Sequence, residues 1–232
     1  MLKQHPLWFW PRDGLLGNES HVYGQVCWSN QSLVSFLIDR VKLYLKLQPD
    51  ADVISITQND NIRFCRTPEE NAIVAEEGSD VGPMLRAVNA IADAIKDEHP
   101  HILVDTFAYI NTLPAPRVTR PRDNVVIRIC IASCNFAAPY SDPVNTLLFQ
   151  AMQAWGKIAK HLAVWDYITN FQHNTVPMPD WYSFAPNLKY LHSIGLDGYM
   201  GEGSRRRDCH FDDTPCLSLL KRLVQVQGGA IK

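Results

Sequence analysis

The stretch from Asp52 to Asp60 restricts the fold of this chain more than any other part of the sequence. Its first half is rich in β-branched side chains, which favour a β-strand. So continuous an apolar run predicts a strand that is buried on both faces, as in a parallel sheet. The run ends on Gln58, Asn59 and Asp60, and the carboxyl ends of parallel strands face the ligand site in α/β folds. The same Asn-Asp-Asn sequence is also typical of a simple turn.

Strand-like and helix-like segments alternate along the rest of the sequence. Amphipathic stripes at helical spacing predict helices, and short runs rich in β-formers predict strands. The predicted helices are 31–47, 79–99, 144–160 and 181–194, and the predicted strands are 22–28, 52–60, 102–109, 125–131, 162–168 and 196–200. Residues 61–78 are predicted to form a long loop. Six strands in a βα pattern fit either a doubly wound sheet or part of an eight-stranded barrel.

Composition and motifs argue against several functional classes. The net charge of −2, without a long basic cluster, argues against a nucleic-acid partner. No apolar run reaches the ~18 residues of a membrane span, and the N-terminus lacks the apolar region of a signal peptide, so localisation is left open. Neither a glycine-rich nucleotide motif nor cysteines at metal-ligand spacing occur, so we assign no cofactor and no metal. We expect most of the six cysteines to be buried free thiols.

Polar and aromatic side chains collect where the predicted strands end. If the strands close into a barrel, these positions converge on one mouth. Two carboxylates flanking a bond are what glycoside hydrolysis needs, one as proton donor and the other as base or nucleophile, and nearby aromatic rings could stack on the sugar. Simpler interpretations stay open, since Trp165 could be a core residue, the pair Glu76–Glu77 a solvated loop pair, and His173 an exposed loop histidine.

Five segments, in order along the chain, resemble one known family. They begin with Ser-Ile-Thr-Gln-Asn-Asp-Asn and end with Gly-Tyr-Met-Gly-Glu-Gly, and they occupy 55–61, 76–89, 120–130, 164–173 and 198–203. They resemble the family named domain of unknown function 4838, over a stretch from about Tyr23 to Gly203. That family is similar to glycoside-hydrolase TIM barrels, akin to the hexosaminidase and α-glucuronidase barrels. The resemblance therefore implies a carbohydrate-related role.

The resemblance also sets our expectation for domain organisation. We expect an α/β chain in which residues 1–203 form a partial (β/α)8 TIM barrel with about six strands, strands three to eight of the full barrel. Residues 204–232 depart from the family pattern and are expected to form a divergent tail. The first two barrel strands, and the small α+β domain that often precedes them, are expected to be missing from this chain.

The candidate site residues follow from the strand ends and from the resemblance. We predict Asp60 as the acid and Asp166 as the base or nucleophile. The residues expected to shape a sugar pocket are Asn59, Glu76, Glu77, Tyr109, Trp165, Tyr167, His173 and Glu202. The expected partner is an oligosaccharide or glycan, neutral or acidic. Two alternatives stay open: a non-catalytic carbohydrate-binding barrel, and an inactive truncated paralogue.

Overall fold

A single sheet of parallel strands organises the chain. The computed structural model describes residues 5–9, 24–171, 173 and 176–203. Each strand pairs in parallel with the next one along the chain, so the spatial order is the sequence order. The strands are β1 (Val53–Ser55), β2 (Leu103–Ala108), β3 (Val125–Cys130), β4 (His161–Tyr167) and β5 (Leu196–Glu202). Together they form a curled half of a TIM-type barrel, which confirms the predicted α/β, partial-barrel class.

The helices of the described residues pack against this sheet or against one another. They are α1 (Gln31–Leu47), α2 (Pro68–Glu77), α3 (Val81–Ile95), α4 (Thr146–Ile158) and α5 (Phe184–Ser193). Short 3-10 turns occur at Pro6–Trp8, Ile110–Thr112 and Pro143–Asn145. Within the described part of the chain, no helix is both long and apolar enough to cross a membrane.

The core lies between α3 and the middle strands. The stripe of α3 includes Met84, Val88 and Ile91, all fully buried, and it faces Val104 of β2 and Ile127 of β3 in one continuous apolar cluster. Burying each such side chain contributes about 1.5–3 kcal/mol before the entropy of ordering it is subtracted. Because β2, β3 and β4 bury their helix-facing side chains here, the opposite, concave face is left to carry the polar residues.

The helix starts follow local capping chemistry. The side chain of Asn30 accepts hydrogen bonds from the backbone N–H groups of Ser32 and Leu33, which otherwise have no partner in the first turn of α1. Thr67 caps α2 in the same way through the N–H of Glu70, and Gly78 ends it with a φ of 69°. The prediction of a loop over residues 61–78 is therefore wrong for most of its length. The reason is that α2 buries two carboxylates, Glu70 and Glu77, rather than an apolar stripe.

The predicted strand at 22–28 is not part of the sheet, so the described residues contain five strands rather than six. Residues 22 and 23 lie outside the described part of the chain. From Gly24 onward the segment makes only an isolated antiparallel bridge, between Val26 and Phe9. Its hydrogen bonds go instead to the turn that follows β1, since Gln25 N–H donates to the carbonyl of Arg63 at 2.8 Å. The strand predicted at 52–60 is likewise shortened to the three residues of β1. The prediction that it is buried on both faces is wrong, since β1 is the first strand of the sheet and Val53 is 46% exposed.

A disulfide joins this N-terminal segment to the same turn. Cys27 and Cys65 are bonded across 38 residues, so the prediction of free thiols is wrong for these two. It holds for Cys130, which is buried and free, and Cys134 is free and partly buried. The predictions for Cys209 and Cys216 lie outside the described residues.

Candidate active-site cavity

A cavity of about 470 Å³ opens at the carboxyl ends of the strands. Two carboxylates, five aromatic rings, an amide and a thiol line it. These residues are Gln58, Asp60, Phe107, Tyr109, Cys130, Trp165, Tyr167, Phe171 and Glu202. Five of the predicted site residues are thus brought together: Asp60, Tyr109, Trp165, Tyr167 and Glu202.

Strand pairing explains why these side chains share one face. Successive residues of a strand point to opposite faces, and paired residues of neighbouring parallel strands point to the same one. Cys130 pairs with Trp165, and Tyr167 pairs with Glu202. Two steps before Tyr109, Phe107 joins them from β2 and meets Trp165 edge to face, with ring centroids 5.6 Å apart. The concave face of the sheet therefore presents an aromatic wall.

Asp60 stands at one side of the cavity, beside a tyrosine. The hydroxyl of Tyr109 donates to Asp60 Oδ1 at 3.0 Å. Burial, and then the bond to Asp60, raise the pKa of Tyr109 well above its ordinary value, so this phenol keeps its proton at neutral pH. Tyr109 is therefore a permanent donor to one oxygen of Asp60.

Glu202 stands at the other side and has its own aromatic donor. The indole Nε1 of Trp165 donates to Glu202 Oε2 at 2.7 Å. Tyr167 lies two residues after Trp165 on the same face of β4 and packs edge to face on Phe171, with ring centroids 5.9 Å apart. Each cavity carboxylate thus has one oxygen held by an aromatic side chain, and each retains a second oxygen for other contacts.

The turn that carries Asp60 is braced from behind by Gln25, which is almost completely buried. Gln25 Nε2 donates to the carbonyls of Asn59 at 2.6 Å and Asn61 at 2.8 Å, while Gln25 Oε1 accepts from the N–H of Asn59 at 2.8 Å. Asn59 itself turns away from the cavity and donates to the carbonyl of Gly24 at 3.0 Å. Asn59, predicted to touch sugar, therefore positions the Asp60 turn in this structure.

Backbone strain occurs directly after Tyr109. Ile110 has a φ of 51°, a left-handed conformation that β-branched residues rarely adopt. Such a residue costs about 1–3 kcal/mol and persists where surrounding contacts enforce it. Here Thr112 Oγ1 accepts from the N–H of Tyr109 at 3.0 Å and holds the turn. Strain of this kind is concentrated at functional sites, which agrees with the position of Tyr109 in the cavity wall.

Asp166 lies on the opposite face of β4 from the cavity. Its Oδ2 accepts from the hydroxyls of Tyr140 and Tyr199, both at 2.9 Å, and its Oδ1 accepts from the N–H of Tyr167 at 2.8 Å. Burial raises the pKa of Asp166, although these three donors oppose the shift. The structure therefore does not bring Asp166 to Asp60. The physical reason is strand alternation, since its neighbours Trp165 and Tyr167 occupy the cavity face.

Three other predicted residues also lie away from the cavity lining. Glu77, the last residue of α2, is fully buried and accepts from Arg86 at 2.5 Å and from the N–H of Thr119 at 2.9 Å. Glu76 is exposed and pairs with the same arginine at 2.9 Å. His173 is exposed in the loop after β4, and its N–H donates to Asn170 Oδ1 at 3.1 Å.

Four cavity residues were not among the sequence candidates. Phe107 lies two residues before Tyr109, so the alternation of β2 places both side chains on the same face. Cys130 pairs with Trp165 on the neighbouring strand and so shares its face. Gln58 precedes the predicted pair Asn59–Asp60, and Phe171 carries no distinguishing sequence signal. Among the described residues, no cluster of three or more histidine, cysteine, aspartate or glutamate side chains could hold a metal ion.

Comparison with known proteins gives one family and two solved structures of one distantly similar protein. The family model described as "Domain of unknown function (DUF4838)" matches residues 1–216. No curated protein matches the chain. Endo-glycoceramidase II from Rhodococcus sp., solved with a cellobiose-like imidazole, superposes with a TM-score of 0.44 at 13% identity, over 77% of this chain and 43% of that one. Its complex with a cellobiose-like isofagomine superposes with a TM-score of 0.43 at 13% identity, over 77% of this chain and 42% of that one. This chain therefore spans less than half the length of those two structures.

Proposed function

Since the chain belongs to the DUF4838 family, we propose that it is a carbohydrate-active protein that binds an oligosaccharide or glycan in the strand-end cavity and is built like a glycoside hydrolase. One observation carries this proposal: Asp60 and Glu202 share a cavity whose walls are aromatic. Rings bury the apolar faces of sugars, and carboxylates accept the hydroxyl hydrogens at the edges.

For hydrolysis, the two carboxylates take the roles that glycosidic cleavage requires. Asp60 is proposed to donate a proton to the leaving oxygen. Glu202 is proposed as the base that activates water or as the nucleophile at the anomeric carbon. Glu202 replaces Asp166 in this role because Asp166 has its two oxygens occupied behind the sheet. Asp166 is instead proposed to position the end of β4, which carries Trp165 and Tyr167.

The test is turnover and binding by conservative variants. Asp60→Asn is expected to lower hydrolysis of natural glycosides by about 10²-fold or more, the scale of lost general acid catalysis. The loss should shrink for aryl glycosides with an activated phenolate, which need little protonation. Glu202→Gln should impair both substrate types, because attack or water activation is needed in each. Asp50→Asn, on the exposed turn after α1, is the matched control and should leave turnover unchanged.

The results separate the alternatives. Sugar binding by the wild type without measurable hydrolysis of any glycoside identifies a non-catalytic carbohydrate-binding barrel. Hydrolysis that survives Asp60→Asn and Glu202→Gln at the wild-type rate contradicts the assignment of both residues. Absence of both binding and hydrolysis across a glycan panel, for protein with a cooperative unfolding transition, contradicts the proposed function itself.

A further inference from the structure

One side chain in the cavity wall holds an unused hydrogen-bond donor. Gln58 is only 7% exposed and lines the cavity between β1 and Tyr109. Its Oε1 accepts from the hydroxyl of Thr112 at 2.5 Å, whereas its Nε2 is buried without a partner. A buried amide donor left unpaired is destabilising, and nearly all such groups in folded proteins find partners. A ligand oxygen in the cavity would supply the missing acceptor.

The position of Gln58 distinguishes it from other unpaired groups. Among the described residues, Trp28 Nε1, Thr106 Oγ1 and the hydroxyl of Tyr190 also lack partners, but none of these residues lines the cavity. Thr112, which holds Gln58 Oε1, also accepts from the N–H of Tyr109. The amide is therefore anchored to the strained turn that presents Tyr109.

The charge of the cavity restricts what that ligand can be. Two carboxylates, Asp60 and Glu202, line it, and none of the described lining residues is cationic. The nearby guanidinium on the concave face, Arg128, is paired with the buried carboxylate of Asp105 at 2.8 Å. An acidic sugar would bring a third negative charge next to two others without a cation to compensate, and like charges repel strongly where water is partly excluded.

We propose that the cavity selects an uncharged sugar ring over the corresponding uronate, and that Gln58 is the specificity-determining donor to an oxygen of that ring. This inference rests on the proposed carbohydrate function and narrows its substrate class. The hydroxyls of the ring donate to Asp60 and Glu202, its apolar face packs on Trp165 or Tyr167, and the Gln58 amide donates to an oxygen that the carboxylates cannot bind.

The first experiment uses the wild-type chain and needs no variant. Methyl hexopyranosides and their C6-oxidised uronides, in both anomers and in several ring configurations, are titrated by saturation-transfer NMR and tryptophan fluorescence. We expect at least one hexoside to bind ten times more tightly than its uronide. The difference should narrow as salt is added, since screening weakens charge repulsion. Equal or tighter binding of the uronides overturns the proposal.

The second experiment changes the amide. Gln58→Met keeps the length of the side chain and removes the donor, so hexoside binding should weaken about tenfold. The substitution also removes the Oε1 acceptor, but the Thr112 hydroxyl keeps the carbonyl of Tyr109 at 3.0 Å as an alternative partner. Because the loss of one bond and the removal of the unpaired donor oppose each other, thermal stability should change little, whereas a purely structural role for Gln58 would lower it clearly. Gln58→Glu should weaken hexoside binding and widen the discrimination against uronides. Gln153→Met, on the exposed face of α4, is the matched control and should change neither property.

The outcomes separate this inference from the proposed function. If the wild type binds hexosides and Gln58→Met binds them equally well, Gln58 is not the donor and the inference fails, while the carbohydrate function stands. If no hexoside and no uronide binds the folded wild type, both fail. If Gln58→Met does not fold, the residue is structural and its proposed role fails.

Discussion

Removing a single hydroxyl, by Tyr140→Phe, measures what the buried carboxylate of Asp166 contributes. Tyr140 is 2% exposed, and its hydroxyl donates to Asp166 Oδ2 at 2.9 Å. A hydrogen bond to a charged group contributes about 1.5–3 kcal/mol, so we expect a loss of about 2 kcal/mol at neutral pH. For a chain of this size that lowers the melting temperature by about 4–8 °C.

The loss should depend on pH in a defined direction. Burial raises the pKa of Asp166 in the folded protein above its ordinary value. The wild type therefore loses stability as pH rises from the ordinary carboxyl pKa through the raised one. Tyr140→Phe removes a donor that opposes this shift, so the pKa of Asp166 rises further. The variant should therefore lose more stability than the wild type over the same rise in pH. The difference between variant and wild type should fall to about 1 kcal/mol where Asp166 is protonated, as for a bond between neutral groups.

Urea unfolding followed by circular dichroism at several pH values measures both effects. Tyr190→Phe is the control, since the hydroxyl of Tyr190 is buried without a hydrogen-bond partner while its ring packs on Phe149 with centroids 4.9 Å apart. Deleting that hydroxyl should change stability by less than about 0.5 kcal/mol. Equal losses for the two variants, or a loss for Tyr140→Phe that is the same at every pH, would refute the buried-carboxylate reasoning.

Two further predictions concern the scaffold around the site. Burial alone would raise the pKa of Glu77, but its hydrogen bonds to Thr119, Arg86 and Val118 outweigh burial and lower the pKa from 4.5 to about 2. The stability of the wild type should therefore fall as pH drops from 4.5 towards 2. Glu77→Gln should lower stability by about 3 kcal/mol at neutral pH and abolish this pH dependence, as measured by urea unfolding at several pH values. The Cys27–Cys65 disulfide closes a loop of 38 residues, so reducing it or replacing both cysteines with alanine should lower stability by about 3–4 kcal/mol. The same changes should weaken sugar binding, because the bond holds the turn that carries Asp60. Thermal unfolding that is unchanged by reductant would contradict this.

Local patterns were sufficient for most of the secondary structure. The bounds of α1 follow from the Asn30 cap and the apolar stripe after it, and they agree with the prediction at both ends. The strands β2, β3 and β4 lie within about one residue of their predicted limits, because each is a β-rich run bounded by turn residues. In contrast, α2 has no apolar stripe. Its sequence signals were the Thr67 cap, the proline after it and Gly78, all of which lie at its ends.

Tertiary contacts decided which strand-end residues line the cavity. Five of the predicted residues do, namely Asp60, Tyr109, Trp165, Tyr167 and Glu202, because the carboxyl ends of parallel strands converge. Asp166 was not placed correctly, although it stands between two cavity residues. A strand that is apolar on both faces does not reveal from sequence which of its faces meets the helices.

The sequence by itself determined the alternation of strands and helices, and with it a parallel sheet whose polar residues gather at one edge. These features depend on interactions between near neighbours, such as caps, turns and amphipathic periods, which a linear chain already contains. The tertiary structure alone decided that Cys27 meets Cys65, that Gln25 braces the Asp60 turn and that Trp165 holds Glu202. Each of these contacts joins residues more than thirty positions apart, and only the register of the packed strands and loops brings them within bonding distance.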